Sequence, residues 1–340
     1  MKISIITTIY KAESDLPRLL ESMMAQQNPK LEFFLINNGS PDRCGEICEE
    51  YARKDNRFVI HTIEDNIGYI RARNLGIQHC SGDFIGFCDS DDYLEPAAYD
   101  RAFAKIETTN CDLYITSWRT HYSRTSVVNN PPYTPGLYVG QEIEKNILPL
   151  AYGPLRSQGM LHGFAWKQIV RKSVVGTDIR FDELLKPCED QLFNVDIIMR
   201  CNKVCVDNNV LYNYIVNESS ITNQIARSNN YDVEWNRLLA LYDKKMCRAN
   251  SQVCVTATAN SALVFVCYLI QQILKQNPLS IKLCARIFKN TVDSDILSDI
   301  IEKADWYISM KMCVVRFCLR YKLYKVLFGF INVWSMGHRN

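Results

Sequence analysis

Residues 81–92 of the chain read SGDFIGFCDSDD, and this stretch decides the fold. The apolar run Phe84–Cys88 leads directly into the acidic run Asp89-Ser90-Asp91-Asp92. A short apolar run bounded by turn signals predicts a buried strand, which we place at Asp83–Cys88. Such strands are typical of parallel sheets, whose ligands bind at the carboxyl ends of the strands. The acidic run therefore stands where a ligand is expected.

Two interpretations of the acidic run are open. Three carboxylates crowded at the end of a strand repel one another unless a cation lies between them, and oxygen ligands of this kind suit Mg²⁺ or Mn²⁺. Alternatively, the run is a solvated turn that caps the next helix, which is a common role for aspartate. We favour a site for a divalent metal ion, Mn²⁺ or Mg²⁺.

Strand-like and helix-like segments alternate around this stretch, through the first 120 residues. Further strands are predicted at Ile3–Ile9, Glu32–Ile36, Phe58–Thr62 and Asp112–Trp118, and helices at Ser14–Gln26 (with Ser14 as the N-cap), Gly45–Lys54, Tyr69–His79 and Pro96–Glu107. This alternation predicts right-handed βαβ units, and so an α/β fold with a mostly parallel sheet flanked by helices. From about residue 225 onward the pattern is helical, which predicts a helical C-terminal extension.

Several short motifs follow one another along the chain. They are Asn38-Gly39-Ser40, Ala72-Arg73-Asn74-Leu75-Gly76, the acidic run, Trp166-Lys167, Glu189-Asp190 and Tyr212-Asn213-Tyr214. In this order and at these spacings, over most of residues 1–220, the chain resembles the family 2 glycosyltransferases. The resemblance implies a GT-A (Rossmann-like) fold. Residues 1–220 would form the nucleotide-sugar-binding and catalytic domain, with its acceptor side at about 120–220, and residues 221–340 a helical C-terminal region.

The resemblance also implies roles for residues on the donor side. Asp91 is implied as the metal-coordinating carboxylate, and Asp89 beside it as a contact to the metal or the ribose. Thr8 and Asn38 stand where the family binds uracil and ribose. Arg73 stands where some members of the family reach the nucleotide.

One departure from the family pattern bears on the nucleotide. The family usually has Asp-Asp where this chain has Asn37-Asn38. An asparagine can still accept a hydrogen bond from the base through its carbonyl, and it adds a donor. Uracil therefore stays compatible, and we expect the donor to be a UDP-sugar.

Asp190 is implied as the catalytic base. An acceptor hydroxyl is a poor nucleophile until a carboxylate takes its proton during the attack. Displacement from the side opposite the leaving diphosphate inverts the anomeric centre, and inversion is the outcome that the resemblance implies. The alternative is an exposed carboxylate at a helix start, because Glu189 and Asp190 precede the apolar stretch Leu192–Met199 and would complement its dipole. We favour the base.

The function implied is that of an inverting, metal-dependent glycosyltransferase, of the hexosyl- or N-acetylhexosaminyl-transferase class. It would move a sugar from a nucleotide-sugar to a saccharide or lipid-linked saccharide acceptor, in the synthesis of capsule, lipopolysaccharide or exopolysaccharide. Two alternatives stay open: a non-catalytic GT-A-like subunit of a polysaccharide assembly complex, and a nucleotidyltransferase. The latter would usually show a glycine- and basic-rich loop in its first turn, which Thr8–Glu13 is not.

Charge and composition limit the partners. The formal net charge of the 340 residues is +2, which excludes a strong whole-protein field for nucleic acid. Residues 306–340 nevertheless combine basic and aromatic side chains without an acidic one, which suits peripheral contact with an anionic membrane surface. The alternative is a helix that packs on the catalytic domain with snorkelling basic ends. Residues 249–274 lack charge, but polar side chains dilute them, so we expect a buried helix there and not a membrane span.

The cellular compartment is predicted from the N-terminus and the cysteines. The opening run Ile3–Ile9 is too short and too polar for a signal peptide, so we expect a cytoplasmic protein, peripheral on the inner face of the cell membrane. The Cys count is 14, but the spacing is not that of a disulfide framework. We expect most of them to be reduced and buried as small apolar side chains.

Overall fold

The computed structural model describes residues 1–148, 151, 163–183, 189–217, 294–303 and 310–336, with single positions between 255 and 289. The described strands are β1 (Ile3–Ile9), β2 (Leu31–Asn38), β3 (Phe58–Ile63), β4 (Phe84–Phe87), β5 (Tyr93–Leu94), β6 (Leu113–His121), β7 (Ser126–Asn129), β8 (Gly136–Val139), β9 (Gln168–Arg171) and β10 (Lys203–Ile215). The described helices are α1 (Leu16–Met24), α2 (Cys44–Lys54), α3 (Tyr69–His79), α4 (Ala98–Thr109), α5 (Gln141–Asn146), α6 (Lys172–Val175), α7 (Glu189–Arg200), α8 (Ser294–Lys303), α9 (Met310–Arg320) and α10 (Tyr324–Met336), and a 3₁₀ turn spans Ala165–Lys167.

One sheet contains all ten strands, in the order β3-β2-β1-β4-β9-β6-β10-β5, with β7 beside β6 and β8 beside β10. The first four strands in this order run parallel, as predicted. Their carboxyl ends therefore meet at one edge, where β1 ends at Ile9, β2 ends at Asn38 and the acidic run follows β4. The predicted mostly parallel α/β sheet is confirmed.

The centre of the sheet differs from the predicted run of βαβ units. The predicted fifth strand forms as β6, but β9 lies antiparallel between β4 and β6. No strand was predicted for the segment of β9, because Gln168–Arg171 has polar residues at both ends and does not form an apolar run like Phe84–Cys88. The insertion brings the 3₁₀ turn, which precedes β9, next to β4.

Two local predictions were wrong. Ser14 does not cap the first helix, which begins at Leu16 with Asp15 at the N-cap position and without a side-chain cap. The second strand was predicted to end at Ile36, yet Asn37 and Asn38 are the last residues of β2 and are buried. Strand pairing with β3 extends to Asn38 and Ile63, so the ladder hydrogen bonds outweigh the turn preference of asparagine.

Helix α3 packs unusually close to the sheet. A Cβ atom added at Gly76 would lie 2.5 Å from Cγ2 of Ile6 and 2.9 Å from Cδ1 of Ile36. Contacts this short are incompatible with any larger side chain unless the helix or these isoleucine side chains shift. The glycine therefore sets the height of α3 over β1 and β2, and with it the position of Arg73.

The described cysteines match the composition-based prediction. The free thiols are all buried: Cys44, Cys48, Cys80, Cys88, Cys111, Cys201, Cys205 and Cys318. Burial raises the pKa of most of them, to about 11 for Cys44 and about 12 for Cys48. They pack as small apolar side chains among the core strands and helices.

The chain divides into two compact units. One comprises Met1–Ile143, Gly163–Glu183 and Glu189–Asn217, and the other Glu144–His162, Leu184–Cys188 and Glu218–Asn340. The predicted division at 220/221 stays a prediction. Within the residues that can be described, no helix has the length and apolar character needed to cross a membrane. Most of residues 249–274, where a buried helix was predicted, lie outside the described part of the chain.

Candidate active site

The acidic run divides into carboxylates with different surroundings. Asp92 is 1% exposed, and its carboxylate accepts hydrogen bonds from the Tyr212 hydroxyl (2.6 Å) and the Ile215 amide (2.7 Å). Its oxygens are thus used inside the protein. Asp89 and Asp91 are less buried than Asp92. Of the three aspartates in the acidic run, Asp89 and Asp91 remain as candidates to coordinate a metal ion.

Asp91 has the electrostatics of a carboxylate without a cation. Its pKa is raised to about 6, first by burial and then by the charge of Asp89. No salt bridge reaches its carboxylate in the part of the chain that the structure describes. A positive charge placed beside it would favour its charged form and so oppose the raised pKa.

Arg73 joins the acidic run to the Glu189-Asp190 motif. Its guanidinium donates to Oδ1 of Asp89 at 2.6 Å and to Oδ1 of Asp190 at 2.8 Å. The arginine is 8% exposed and lies over the rings of Tyr69 (5.3 Å) and Phe181 (5.6 Å). Although burial opposes the charge, the two aspartates raise the pKa of Arg73, so it stays cationic. Residues far apart in sequence therefore share one polar site.

Asp190 stands in the first turn of α7 but is not the exposed helix-start carboxylate of the alternative interpretation. Its side chain is 18% exposed. Its second carboxylate oxygen accepts a hydrogen bond from the Ala165 amide at 3.1 Å. Burial raises the pKa of Asp190, against the opposing charge of Arg73. A raised pKa and two hydrogen bonds that fix the carboxylate are what a general base needs.

Sequence reasoning missed two charged residues of this site. Glu189 is 8% exposed, accepts a hydrogen bond from the Tyr69 hydroxyl at 2.7 Å, and has its pKa raised by burial and by Asp190. Lys167 is 5% exposed, and burial lowers its pKa to about 7 while Asp190 opposes that shift. Both residues belong to motifs of the sequence analysis, Trp166-Lys167 and Glu189-Asp190, and that position in a motif was the signal that could have identified them.

Thr8 and Asn38 lie at the same edge of the sheet. Asn38 is 2% exposed, its carbonyl accepts from the Ile67 amide (3.0 Å), and its amide group donates to Oδ1 of Asn66 (3.2 Å). These bonds fix the segment that leads from β3 into α3. Thr8 is partly exposed near the end of β1. The nucleotide contacts implied for both residues stay predictions.

The carboxylates of the site suit a metal ion that is bound jointly by the protein and the substrate, and not one that is enclosed by protein ligands. No group of three or more His, Cys, Asp or Glu side chains is placed to hold a metal ion among the described residues. Mg²⁺ and similar ions are, however, often held by one or two carboxylates together with substrate phosphates. Asp91, with Asp89 beside it, provides that number of carboxylates.

Comparison with known proteins identifies a family that the amino-terminal part of the chain matches. Residues 4–155 match the model of Glycosyl transferase family 2. This match supports a family 2 glycosyltransferase. The chain is 30% identical over 229 residues, 65% of its length, to the uncharacterized glycosyltransferase EpsJ of Bacillus subtilis. It covers 62% of that relative, which is less than two thirds of the relative's length.

Solved structures confirm the fold. The complex of Staphylococcus aureus TarS 1-349 with UDP-GlcNAc superposes with a TM-score of 0.71 and 18% identity, covering 99% of this chain and 92% of that one. The mannosyltransferase PcManGT from Pyrobaculum calidifontis, in complex with GDP-Man and Mn²⁺, gives a TM-score of 0.52 at 11% identity, covering 98% and 87%. At these identities the likeness establishes the fold alone, and the GT-A prediction is confirmed.

Proposed function

We propose that the protein is an inverting, metal-dependent glycosyltransferase that moves a sugar from a UDP-sugar to the hydroxyl of a saccharide acceptor. The observation that carries the proposal is the Arg73 guanidinium, which bonds both Asp89 and Asp190. A donor-side carboxylate and a candidate base therefore lie within reach of one side chain. The naming of EpsJ as a glycosyltransferase supports the reaction class.

Asp190 is proposed as the base that takes the proton of the acceptor hydroxyl. Its raised pKa strengthens it as a base near neutral pH, and the Ala165 amide and Arg73 hold its carboxylate in one orientation. A single base acting from the side opposite the leaving diphosphate supports inversion at the anomeric carbon.

Asp91, with Asp89, is proposed to hold Mn²⁺ or Mg²⁺ together with the diphosphate of the donor. The raised pKa of Asp91 supports this, because a neighbouring cation would favour its charged form. When bound, the ion supplies positive charge to the leaving diphosphate. The mannosyltransferase complex, which has the same fold, contains Mn²⁺ together with GDP-Man.

Thr8, Asn38 and Arg73 are proposed to contact the nucleotide. UDP-GlcNAc in the TarS complex supports a uridine donor, whereas the mannosyltransferase complex contains GDP-Man. The amide of Asn38 has a further donor hydrogen and its carbonyl a further lone pair, so uracil can be accommodated beside the internal bonds. We therefore prefer UDP among the nucleotides.

The proposal is tested with a panel of nucleotide-sugars, measuring nucleotide release with and without Mn²⁺. Wild type should release nucleotide from a UDP-sugar in the presence of metal, and Asp190→Asn should transfer to an acceptor about a thousandfold more slowly. Asp196→Asn, on the same helix, is the matched control and should retain wild-type rates.

The outcomes separate the alternatives. No nucleotide release from any sugar donor would support a non-catalytic subunit. Pyrophosphate formed from a nucleoside triphosphate and a sugar phosphate would support a nucleotidyltransferase. Isothermal titration in which GDP or CMP binds more tightly than UDP would exclude the uridine preference.

The acceptor is proposed to be a saccharide or lipid-linked saccharide used in surface polysaccharide synthesis, with the protein peripheral on the cytoplasmic face of the membrane. The turn between α9 and α10, with the helix ends on either side of it, supports membrane contact. Exposed apolar side chains of this region include Phe317 (47%), Tyr321 (59%) and Val326 (58%). Arg320, Lys322 and Lys325 are exposed among them. Cations beside exposed aromatic rings suit an anionic bilayer.

Membrane contact is tested by co-sedimentation of the full chain with anionic and neutral liposomes. The pair Lys322→Glu and Lys325→Glu should abolish most of the binding to anionic liposomes. Lys54→Glu, a charge change in the other unit, should leave binding unchanged. Equal binding of both variants would exclude the turn as the contact.

A further inference from the structure

Tyr212, in the motif Tyr212-Asn213-Tyr214, has no part in the proposed chemistry. Its hydroxyl nevertheless contacts both ends of the acidic run, residues 89–92, which form the donor-side loop. The hydroxyl accepts a hydrogen bond from the Asp89 amide at 3.0 Å and donates to Oδ2 of Asp92 at 2.6 Å. The tyrosine is 0% exposed. One buried hydroxyl therefore connects both ends of the acidic run.

The far end of the acidic run is anchored on the same strand. The other carboxylate oxygen of Asp92 accepts from the Ile215 amide at 2.7 Å, and Leu94 of β5 pairs with Tyr212 of β10. At the Asp89 end, the hydrogen bond from the Asp89 amide to the Tyr212 hydroxyl is the one described bond between Asp89 and β10. Asp89 would thus lose its tie to β10 without that hydroxyl, while Asp92 would keep a second one.

The ring of Tyr212 faces the base side of the site. It stacks on Trp166 with ring centroids 4.3 Å apart and planes at 6°. Trp166 follows Ala165 directly, and the Ala165 amide donates to Asp190. Trp166 is 2% exposed, so this stack is a rigid buried layer. The same tyrosine therefore contacts the donor-side loop through its hydroxyl and the segment that orients Asp190 through its ring.

We propose that Tyr212 is a positioning residue that holds the backbone of Asp89 in the register required by the carboxylates of Asp89 and Asp91. The proposal rests on the proposed function for its consequence, which is tighter binding of a divalent cation with a nucleoside diphosphate. It does not require Tyr212 to contact the substrate. Phenylalanine at position 212 would keep the stack on Trp166 and remove the hydroxyl together with its hydrogen bonds, including those to the Asp89 amide and to Asp92.

The first test measures the link itself. In Tyr212→Phe, amide hydrogen exchange at Asp89 should be at least about tenfold faster than in wild type, because the amide has lost its acceptor. Tyr214→Phe, a tyrosine of the same motif that stacks on Trp166 at 5.8 Å, is the matched control and should exchange like wild type. Equal exchange in wild type and Tyr212→Phe would overturn the proposal without any reference to activity.

The second test measures the consequence by isothermal titration of UDP into the full chain, with and without Mn²⁺. Tyr212→Phe should weaken Mn²⁺-dependent UDP binding about tenfold, which is about 1.4 kcal/mol. It should raise KM for the donor and leave KM for the acceptor unchanged. Tyr214→Phe should match wild type in all three measurements.

The outcomes distinguish the two proposals. Faster exchange at Asp89 with unchanged UDP binding would overturn the positioning role while the enzyme assignment stands. A wild-type protein that binds no nucleotide and turns over no donor would instead overturn the proposed function. The exchange experiment would then still decide whether Tyr212 holds the loop.

Discussion

Buried carboxylates lie at both edges of the parallel strands, and their pKa values shift in opposite directions at the two edges. At the amino-terminal edge, Glu32 is 4% exposed and surrounded by donors. Lys2 Nζ and Ser4 Oγ donate to it at 2.7 Å, and the Ser81 amide donates at 2.9 Å. Burial alone would raise its pKa, but these bonds lower it to about 2.

At the carboxyl-terminal edge the pKa values move the other way. The pKa of Asp91 is raised to about 6, and those of Glu189 and Asp190 are also raised, in each case first by burial. The described hydrogen bonds give each of these carboxylates fewer donors than Glu32 has. A carboxylate with a lowered pKa stabilises the fold, whereas a set with raised pKa values costs stability and is typical of a functional site.

The largest expected difference between the two edges is in enzyme turnover. Asp91→Asn should slow metal-dependent donor turnover about a thousandfold, equivalent to about 4 kcal/mol, because the proposed cation loses its main ligand. Initial rates over a Mn²⁺ series with the best donor of the panel measure it. Glu32→Gln, at the opposite edge, is the matched control and should keep turnover near wild type.

Stability provides the check on the same variant. Because Asn removes a charge whose pKa is raised, Asp91→Asn should unfold no more easily than wild type at pH 7. A large loss of both turnover and stability would mean that Asp91 is structural, and the two edges would no longer differ.

The next effect is on the free energy of unfolding. Glu32→Gln should lower it by about 3 kcal/mol at pH 7, because the pKa of Glu32 falls from 4.5 in its ordinary state to about 2 in the fold. A lowered folded pKa stabilises at pH values above 4.5, and the contribution disappears as the pH falls through about 2. Urea unfolding at pH 7 and at pH 3 measures it. Glu46→Gln, on the exposed face of α2, should change neither value.

The smallest effect is on the pH dependence of turnover. Since a base works only when deprotonated, the raised pKa of Asp190 should place the acid limb of kcat above the ordinary carboxyl range of about 4. Glu189→Gln removes a neighbouring negative charge, so the acid limb should move to lower pH, by less than about one unit. A pH–rate profile from 5 to 8 measures the shift. Glu183→Gln, which pairs with Arg71 on the surface, should leave the profile unchanged.

Much of the fold could be predicted because its signals are local. The strands at Ile3–Ile9 and Phe58–Ile63 and the helix at Tyr69–His79 were found within a residue of their observed ends, since apolar periodicity and turn residues lie next to one another in the chain. The antiparallel strand β9 was missed because Gln168–Arg171 has polar residues at both ends and forms no apolar run. Its place between β4 and β6 depends on partners more than 50 residues away.

The candidate site was predicted as residue types and not as contacts. Asp89, Asp91, Arg73 and Asp190 were all singled out from motifs. The bridging position of Arg73 was not foreseen, because a helix residue at that spacing is equally consistent with a nucleotide contact. Asp92 was counted among the three crowded carboxylates of the acidic run, although its carboxylate accepts hydrogen bonds from Tyr212 and Ile215.

By itself the sequence determined the elements at the start of the chain, the acidic run at the end of a strand, and the resemblance to the family 2 glycosyltransferases. Tertiary structure alone decided which carboxylates are satisfied and which are not. The reason is physical: burial and hydrogen bonds set the pKa of a carboxylate, and both come from residues distant in sequence. Glu32 and Asp91 have the same carboxylate chemistry. The groups that the fold places around them make Glu32 a stabilising residue of the sheet and Asp91 a candidate metal ligand.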